Sequence, residues 1–281
     1  LPWAAPDVRQ GHFVFRTGWD DLGRGEEAPL TGDVLLTLNM KSGTRGSCHY
    51  ERSGVNGEIV LHGFGRRWLA GPWLPMAPRK PRAGNLHIGA EVLVSERLGD
   101  RVHRIELKLD RAYYDEAGRG DPQAAMRRYF ADDVARVKLL GDFLDFGIRG
   151  NRQMIVDASG TSGAPLLVAV LDRMRIAGDD AGGNRFRSRL PIPQDAGEVS
   201  VEGNRFRVGK PNGPNLAGVV ANVAKLDPAD ASAETDGAFL TVFTLQNAKP
   251  PKIIVEGEGL DAKVRVGGRV VEVSDGRLTI R

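Results

Sequence analysis

A mainly β fold, an antiparallel stacked-sheet sandwich with one short covering helix, is predicted by three features of the sequence. Apolar residues alternate or cluster in short runs, Gly, Asn, Asp and Pro bound those runs, and one strand-like run follows another with almost no helical pattern between them. Parallel pairing would need crossovers of about a dozen residues or more, usually helical, so this order argues for antiparallel sheets.

The runs in the first half are His12 to Arg16, Val34 to Leu38, Glu58 to His62, Glu91 to Val94 and Val102 to Leu107. The second half adds Met154 to Val156, Pro165 to Leu171, Phe206 to Val208, Ala238 to Leu245, Ile253 to Val255, Ala262 to Val266 and Val270 to Val273. The covering helix is expected from Asp121, an N-cap acid ahead of Pro122 at the first helical position. Ala125, Met126, Tyr129, Phe130, Val134 and Val137 then recur at helical spacing.

The chain has 281 residues, and single cores stop growing at roughly 250–300 residues. Two divisions therefore stay open: one large sandwich domain over 1–281, or a main sandwich over 1–178 with a smaller β tail over 179–281. The turn-rich stretch from Gly178 to Asn184 and the polar excursion from Leu226 to Gly237 are the candidate boundaries.

A hydrophobic fraction of 41% with 27% charged residues is that of an ordinary globular protein, so a real core is expected and no membrane partner. Lys and Arg number 39 against 36 Asp and Glu, interleaved along most of the chain, which argues against a nucleic-acid partner. One basic stretch stands out: Arg66-Arg67-Trp68, then Arg79-Lys80-Pro81-Arg82, with Trp73 between them. Summed charge and guanidinium forks there suit an anionic ligand, and a solvated basic loop is the alternative. The single Cys48 excludes an intrachain disulfide framework. No GxxxxGK[ST], HExxH, CxxC or GxSxG motif is present, so nucleotide, zincin, redox and serine-hydrolase chemistries lack their usual warrant.

Five segments, in order, carry a resemblance. They are Phe13 to Asp20, ending Arg16-Thr17-Gly18-Trp19-Asp20; Leu35 to Gly43, followed by His49; Asn56 to Leu69; Leu109-Asp110-Arg111-Ala112-Tyr113-Tyr114; and Asn151 to Asp157, continued by Gly163 to Arg173. Together they resemble the carboxy-terminal β domain of heparinase II/III-like polysaccharide lyases, over roughly residues 12 to 175. Their agreement in order outweighs any single one of them.

The resemblance implies a β domain that normally follows an amino-terminal α/α toroid, absent from this chain, with the active site in the cleft between the two. It implies β-elimination on a uronic-acid-containing polysaccharide and favours a periplasmic or secreted location. The expected partners are an acidic polysaccharide and the toroid. A noncatalytic carbohydrate-binding or structural sandwich module is the alternative.

In the family a histidine of a Gly-rich turn and often a tyrosine come from this domain, and His49 and Tyr50 match best. Arg45 is expected to neutralise the substrate carboxylate, and Asn56 to hold a loop or a sugar hydroxyl. A turn histidine packed beside Cys48 and a core tyrosine are the bland readings of His49 and Tyr50. Trp68 and Trp73 are expected as a sugar platform beside Arg66 and Arg67, since aromatic faces stack on pyranose rings and guanidinium forks grip carboxylates. Trp68 in the core is the competing reading. His87 joins the substrate-binding set, whereas Tyr113 and Tyr114 are assigned to core or rim.

Relatives also carry a structural zinc, on an H-x-H pair, an Asp in a D-P-G turn and a His in H-N. Here the corresponding turns read Gly71-Pro72-Trp73 and Gly84-Asn85, and Glu51 and Ser53 fall where the paired histidines would. Zinc needs about four placed ligands, or three and water, so no family-type zinc site is expected and no cofactor is assigned, with zinc or another divalent cation as the alternative.

Overall fold

The structure, a computed structural model, describes residues 3–8, 11–18, 33–39, 58–73, 75, 86–114, 143–176 and 185–281. Within them the chain is strand after strand. A five-stranded antiparallel sheet runs in sequence order: β1 (Ala4–Asp7), β2 (His12–Arg16), β3 (Val34–Asn39), β4 (Glu58–Gly63) and β5 (Arg66–Pro72). Val34, Leu36 and Leu38 of β3 turn inward while the residues between them stay half-buried, the period-2 signature of a sheet with one face on a core.

An eight-stranded sheet lies beneath it. Its members are β6 (Leu86–Gly99), β7 (Val102–Tyr114), β8 (Phe143–Asp157), β9 (Leu166–Ile176), β11 (Val199–Glu202), β12 (Arg205–Gly209), β13 (Pro214–Val220) and β15 (Ala238–Asn247). They lie in the order β11-β12-β13-β15-β9-β8-β7-β6, all antiparallel. A small ribbon pairs β10 (Phe186–Ser188) with β14 (Ala233–Thr235). Finally β16 (Ile253–Glu256), β17 (Lys263–Val266), β18 (Arg269–Ser274) and β19 (Arg277–Ile280) form a four-stranded sheet.

Two cores hold these sheets in three layers. Phe13, Phe15, Leu36, Ile59, Leu61 and Trp68 of the first sheet pack with Leu107, Val168, Val170, Phe239 and Phe243 of the second. On the other side of the same eight-stranded sheet, Leu167, Ala169, Leu171, Leu240 and Val242 pack with Val264, Val266, Val271 and Leu278 of the last sheet. Alternate residues of β9 and β15 thus feed opposite cores, so both strands are covered on both faces. Each such aliphatic or aromatic side chain contributes about 1.5–3 kcal/mol relative to exposure.

The expected strands are present, extended in several cases, and the stacked-sheet architecture is as expected. The expected helix from Asp121 and the connector from Gly178 to Asn184 lie outside the described residues. The eight-stranded sheet takes strands from both sides of residue 178: β15 pairs with β9 from Ala238↔Arg173 to Leu245↔Leu166.

Candidate functional site

Two contacts orient the first sheet on the second. A side chain at Gly63, at the end of β4, would run into Leu245 near the end of β15. The Trp73 ring, just past β5, lies 5.9 Å from that of Phe243 and 4.9 Å from the Arg152 guanidinium. Arg152 pairs with Asp172, and Asp172 with Phe239 near the start of β15. The row Asn39↔Glu58↔Pro72 therefore points toward the end of the large sheet where Leu86 pairs with Tyr113 and Tyr114 with Phe143. At that one end the chain leaves the described strands after Asn39, Tyr114 and Ile176, and re-enters at Glu58, Leu86 and Phe143.

Arg45, His49, Tyr50 and Asn56 fall between Asn39 and Glu58, outside the described residues. His87 is the second residue of β6, opposite Ala112, so its backbone belongs to the same end of the fold. Tyr113 and Tyr114 close β7 there. Arg66 and Arg67 begin β5 at the opposite end, where Arg66 pairs with Gly63 and Arg67 with His62. The six residues of β4 separate the two ends, about 17 Å of strand.

The two tryptophans are not a sugar platform. Trp68 is 0% and Trp73 1% exposed, so neither ring offers a face to a pyranose. The cause is a register shift between Leu61 and His62 that leaves Trp68 as an extra residue on β5. Such a bulge re-aims a side chain, and here Trp68 and Leu69 both turn into the core. The Trp68 indole N–H donates to the Gly63 carbonyl at 2.9 Å, giving the buried ring its polar partner. The Arg66 guanidinium sits 5.3 Å over that ring and donates to the Ala196 carbonyl at 3.4 Å, while its neighbour Arg67 reaches Asp195 only at 3.9 Å.

Several residues that carry the resemblance serve the fold. Arg16 donates to Asp33 at 2.9 and 3.1 Å, the Thr17 hydroxyl accepts the Val34 N–H at 2.9 Å, and Arg101 donates to the Thr17 carbonyl. Gly18 is required there because a Cβ would strike the Asp33 carboxylate. Arg152 and Asp172, register partners across β8 and β9, form a bidentate pair at 2.7 and 2.8 Å with both side chains out of solvent. One Arg152 nitrogen, Nη1, has no hydrogen-bond partner among the described residues, and the Trp73 ring packs against that guanidinium. Asp157, also buried, accepts from Arg269 of β18 at 2.7 Å and so ties the third layer to the second.

A cavity of about 960 Å³ opens beside the β10–β14 ribbon, with Asn222, Lys225, Asp227, Glu234, Thr235 and Leu260 among its walls. Its best-placed polar groups already serve the fold: Asn222 bridges the Ala238 carbonyl and the Leu240 N–H, Thr235 donates to Ala238, and Asp227 faces Arg187. Among the described residues His103 has a displaced proton affinity; it is 6% exposed and packed against Trp3 and Phe15. Burial lowers its pKa, partly offset by Glu96, and its Nε2 lies 3.0 Å from the Ser95 hydroxyl. That is a core histidine.

Of the positions that would hold the zinc of the lyase family, the one among the described residues, Gly71, does not fit it. Gly71 stands where an Asp ligand would, at φ 134°, a conformation L side chains rarely adopt, with Pro191 3.4 Å from where its Cβ would be. Among the described residues no three His, Cys, Asp or Glu side chains come together.

No family model matches this chain, and no curated protein does. Solved structures do. Heparinase III with methylated lysines matches over 99% of this chain with a TM-score of 0.52 at 11% identity. A further heparinase III structure gives a TM-score of 0.52 at 10% identity over 99% of this chain. The likeness is one of fold, and it runs through the whole chain rather than one sheet. This chain spans about two fifths, 41 to 42%, of the length of those enzymes.

Proposed function

We propose that the chain is the β domain of a polysaccharide lyase that cleaves a uronic-acid-containing polysaccharide by β-elimination, supplying half of an interdomain active site. The observation that carries this reading is the likeness of the entire chain to part of heparinase III, in a chain whose ordered motifs independently resemble the same class of lyase. Support for the site comes from topology. The connection bearing Arg45, His49, Tyr50 and Asn56 is anchored at the end of the sandwich where β6 brings in His87. Loops gathered at one end of a rigid scaffold are where binding and catalytic groups concentrate.

In this reading His49 takes the proton from C5 of the uronate. The electron pair of the C5–H bond becomes the C4–C5 double bond as the C4–O bond breaks, and Tyr50 shares the proton transfer to the departing oxygen. Arg45 neutralises the carboxylate on C5, which lowers the cost of the negative charge that develops there. Asn56 and His87 hold the sugar, and Arg66 and Arg67 contact acidic groups of the polymer farther away. The same reading takes residues 1–281 as one domain, supported by β15 pairing with β9 in the middle of the eight-stranded sheet.

The test is the ultraviolet absorbance of the unsaturated product when the protein, joined to whatever precedes Leu1 in its reading frame, is given polyuronates. Product is expected, with a loss of about 10²-fold or more in His49→Ala. Undiminished activity in that variant would remove His49 from the mechanism. A second reading is a noncatalytic glycan-binding module, favoured by Gly71 standing where the lyase family has a metal-binding Asp. Binding of uronic-acid oligosaccharides with no turnover by the complete protein would select it.

A further inference from the structure

We infer that His62 and Arg67 form an anion clamp on the outward face of the first sheet, at the end opposite Asn39 and Glu58, that grips an acidic group of the glycan away from the cleavage point. The inference rests on the proposed function for the identity of its ligand, an acidic glycan, and on geometry for its place. His62 and Arg67 are register partners across β4 and β5. Their side chains therefore leave the same face with Cβ atoms about 4.5–5.5 Å apart. Both are exposed, and the opposite face of these strands carries Ile59, Leu61 and Leu69 into the core.

Two nitrogen-donor side chains placed directly opposite each other gain nothing from one another. Their arrangement makes sense when an anion lies between them. The one counter-charge near Arg67 among the described residues is Asp195, at 3.9 Å with 73% of its side chain exposed, too distant for a formed guanidinium fork. His62 has no hydrogen-bond partner among the described residues. In the same outward row Arg16 is already engaged by Asp33, which leaves Arg67 as the cation available to a ligand.

Edge protection does not explain the pair. Charged residues often guard free strand edges, but β4 is an interior strand, and the β5 edge is met by Pro191, whose carbonyl accepts from Ala70 at 2.9 Å. The hairpin that presents the two side chains is also built rigidly. Phe64 and Gly65 form its two-residue turn with φ of 53° and 75°, the double positive φ that matches strand twist. Phe64 is held in that uncommon conformation by packing on the core. Arg66, on the other side of the hairpin, is tied down by Ala196 and Trp68. A preorganised donor pair costs little to order when an anion binds.

The test is calorimetric binding of dodecasaccharides to the full protein at low and physiological salt, one unsulfated (hyaluronan) and one sulfated (heparan sulfate). Arg67→Gln is expected to weaken binding about tenfold, His62→Gln about threefold, and Arg67→Lys by an intermediate factor because the charge stays while the fork is lost. Weakening of both glycans assigns the clamp to the shared carboxylate, and weakening of the sulfated one alone assigns it to sulfate. Wild-type binding that all three variants keep at full strength overturns the clamp and leaves the proposed function standing. Failure of the wild type to bind either glycan overturns the clamp, and the proposed function is then decided by the absorbance test. Circular dichroism checks the fold of each variant, and the Arg67→Lys and His62→Gln proteins carry the test should Arg67→Gln not fold.

Discussion

Arg152–Asp172 and Arg67–Asp195 are the same chemical pair in two settings. The first is bidentate at 2.7 Å with side-chain exposures of 0 and 2%, whereas the second is a single contact at 3.9 Å with exposures of 46 and 73%. In the core both charges have lost water, so each depends on the other, and removing one leaves a stranded ion. At the surface water satisfies each charge and the pair adds little. Burial, more than residue type, decides whether an arginine on this fold serves stability or stays available for a ligand.

The comparison can be broken most forcefully at Asp172. Asp172→Ala is expected to cost about 3–5 kcal/mol in denaturant unfolding because Arg152 would remain buried and uncompensated. The double variant Arg152→Met with Asp172→Leu should be more stable than Asp172→Ala, and a double variant as unstable as the single one would show that packing at the site, not the stranded charge, sets the cost. Trp73→Ala empties the space over the Arg152 guanidinium and is expected to cost about 3–5 kcal/mol, near the lower end if the site collapses. A loss below about 1 kcal/mol would contradict its place in the core.

Gly237→Ala comes next. Gly237 has φ 131°, and a Cβ there would strike the Met174 carbonyl, which is fixed by its neighbour's bonds in β9. A loss of about 1–3 kcal/mol is expected from strain of this kind, read as a lower unfolding midpoint. His103 then sharpens the comparison through pH. Its folded pKa lies below the ordinary 6.5 because burial disfavours the imidazolium. The unfolded chain therefore binds more protons between the two values, and stability present above about pH 6.5 is lost as pH falls through that range toward the folded pKa. Unfolding midpoints measured from pH 8 to 5 should show a fall that is reduced in His103→Phe, and parallel profiles would dismiss the effect. Arg67→Gln closes the series, with a stability change within about 0.5 kcal/mol.

Much of the fold was legible in the residues. His12 to Arg16, Val34 to Leu38 and Glu58 to His62 are strands as expected because one face of each is apolar. The unbroken apolar runs of β9 and β15 reflect burial on both faces, a condition set by the third layer. Strands β5 and β13 escaped notice for a physical reason. Arg66-Arg67, Gly71 and Pro72 in one, and Pro214 and Asn215 in the other, are poor strand formers whose pairing is imposed by β4 and β15. The candidate site was less legible. Trp68 reads equally well as platform or core until the bulge in β5 is known. His62 was overlooked because its pairing with Arg67 depends on the two-residue turn at Phe64-Gly65, and Phe is a rare occupant of a positive-φ position.

By itself the sequence determined the local choices: which short runs are strands, that they pair antiparallel, and which ordered motifs resemble a lyase β domain. Those follow from side-chain alternation and turn chemistry, which act between near neighbours in the chain. Only the tertiary structure decided that the last four strands form a third layer. It alone decided that Trp68 and Trp73 lie in the core, that the motif residues Arg152 and Asp172 are a buried pair, and that His62 faces solvent beside Arg67. These outcomes depend on burial and register between residues far apart in sequence, and both are properties of the assembled sheets.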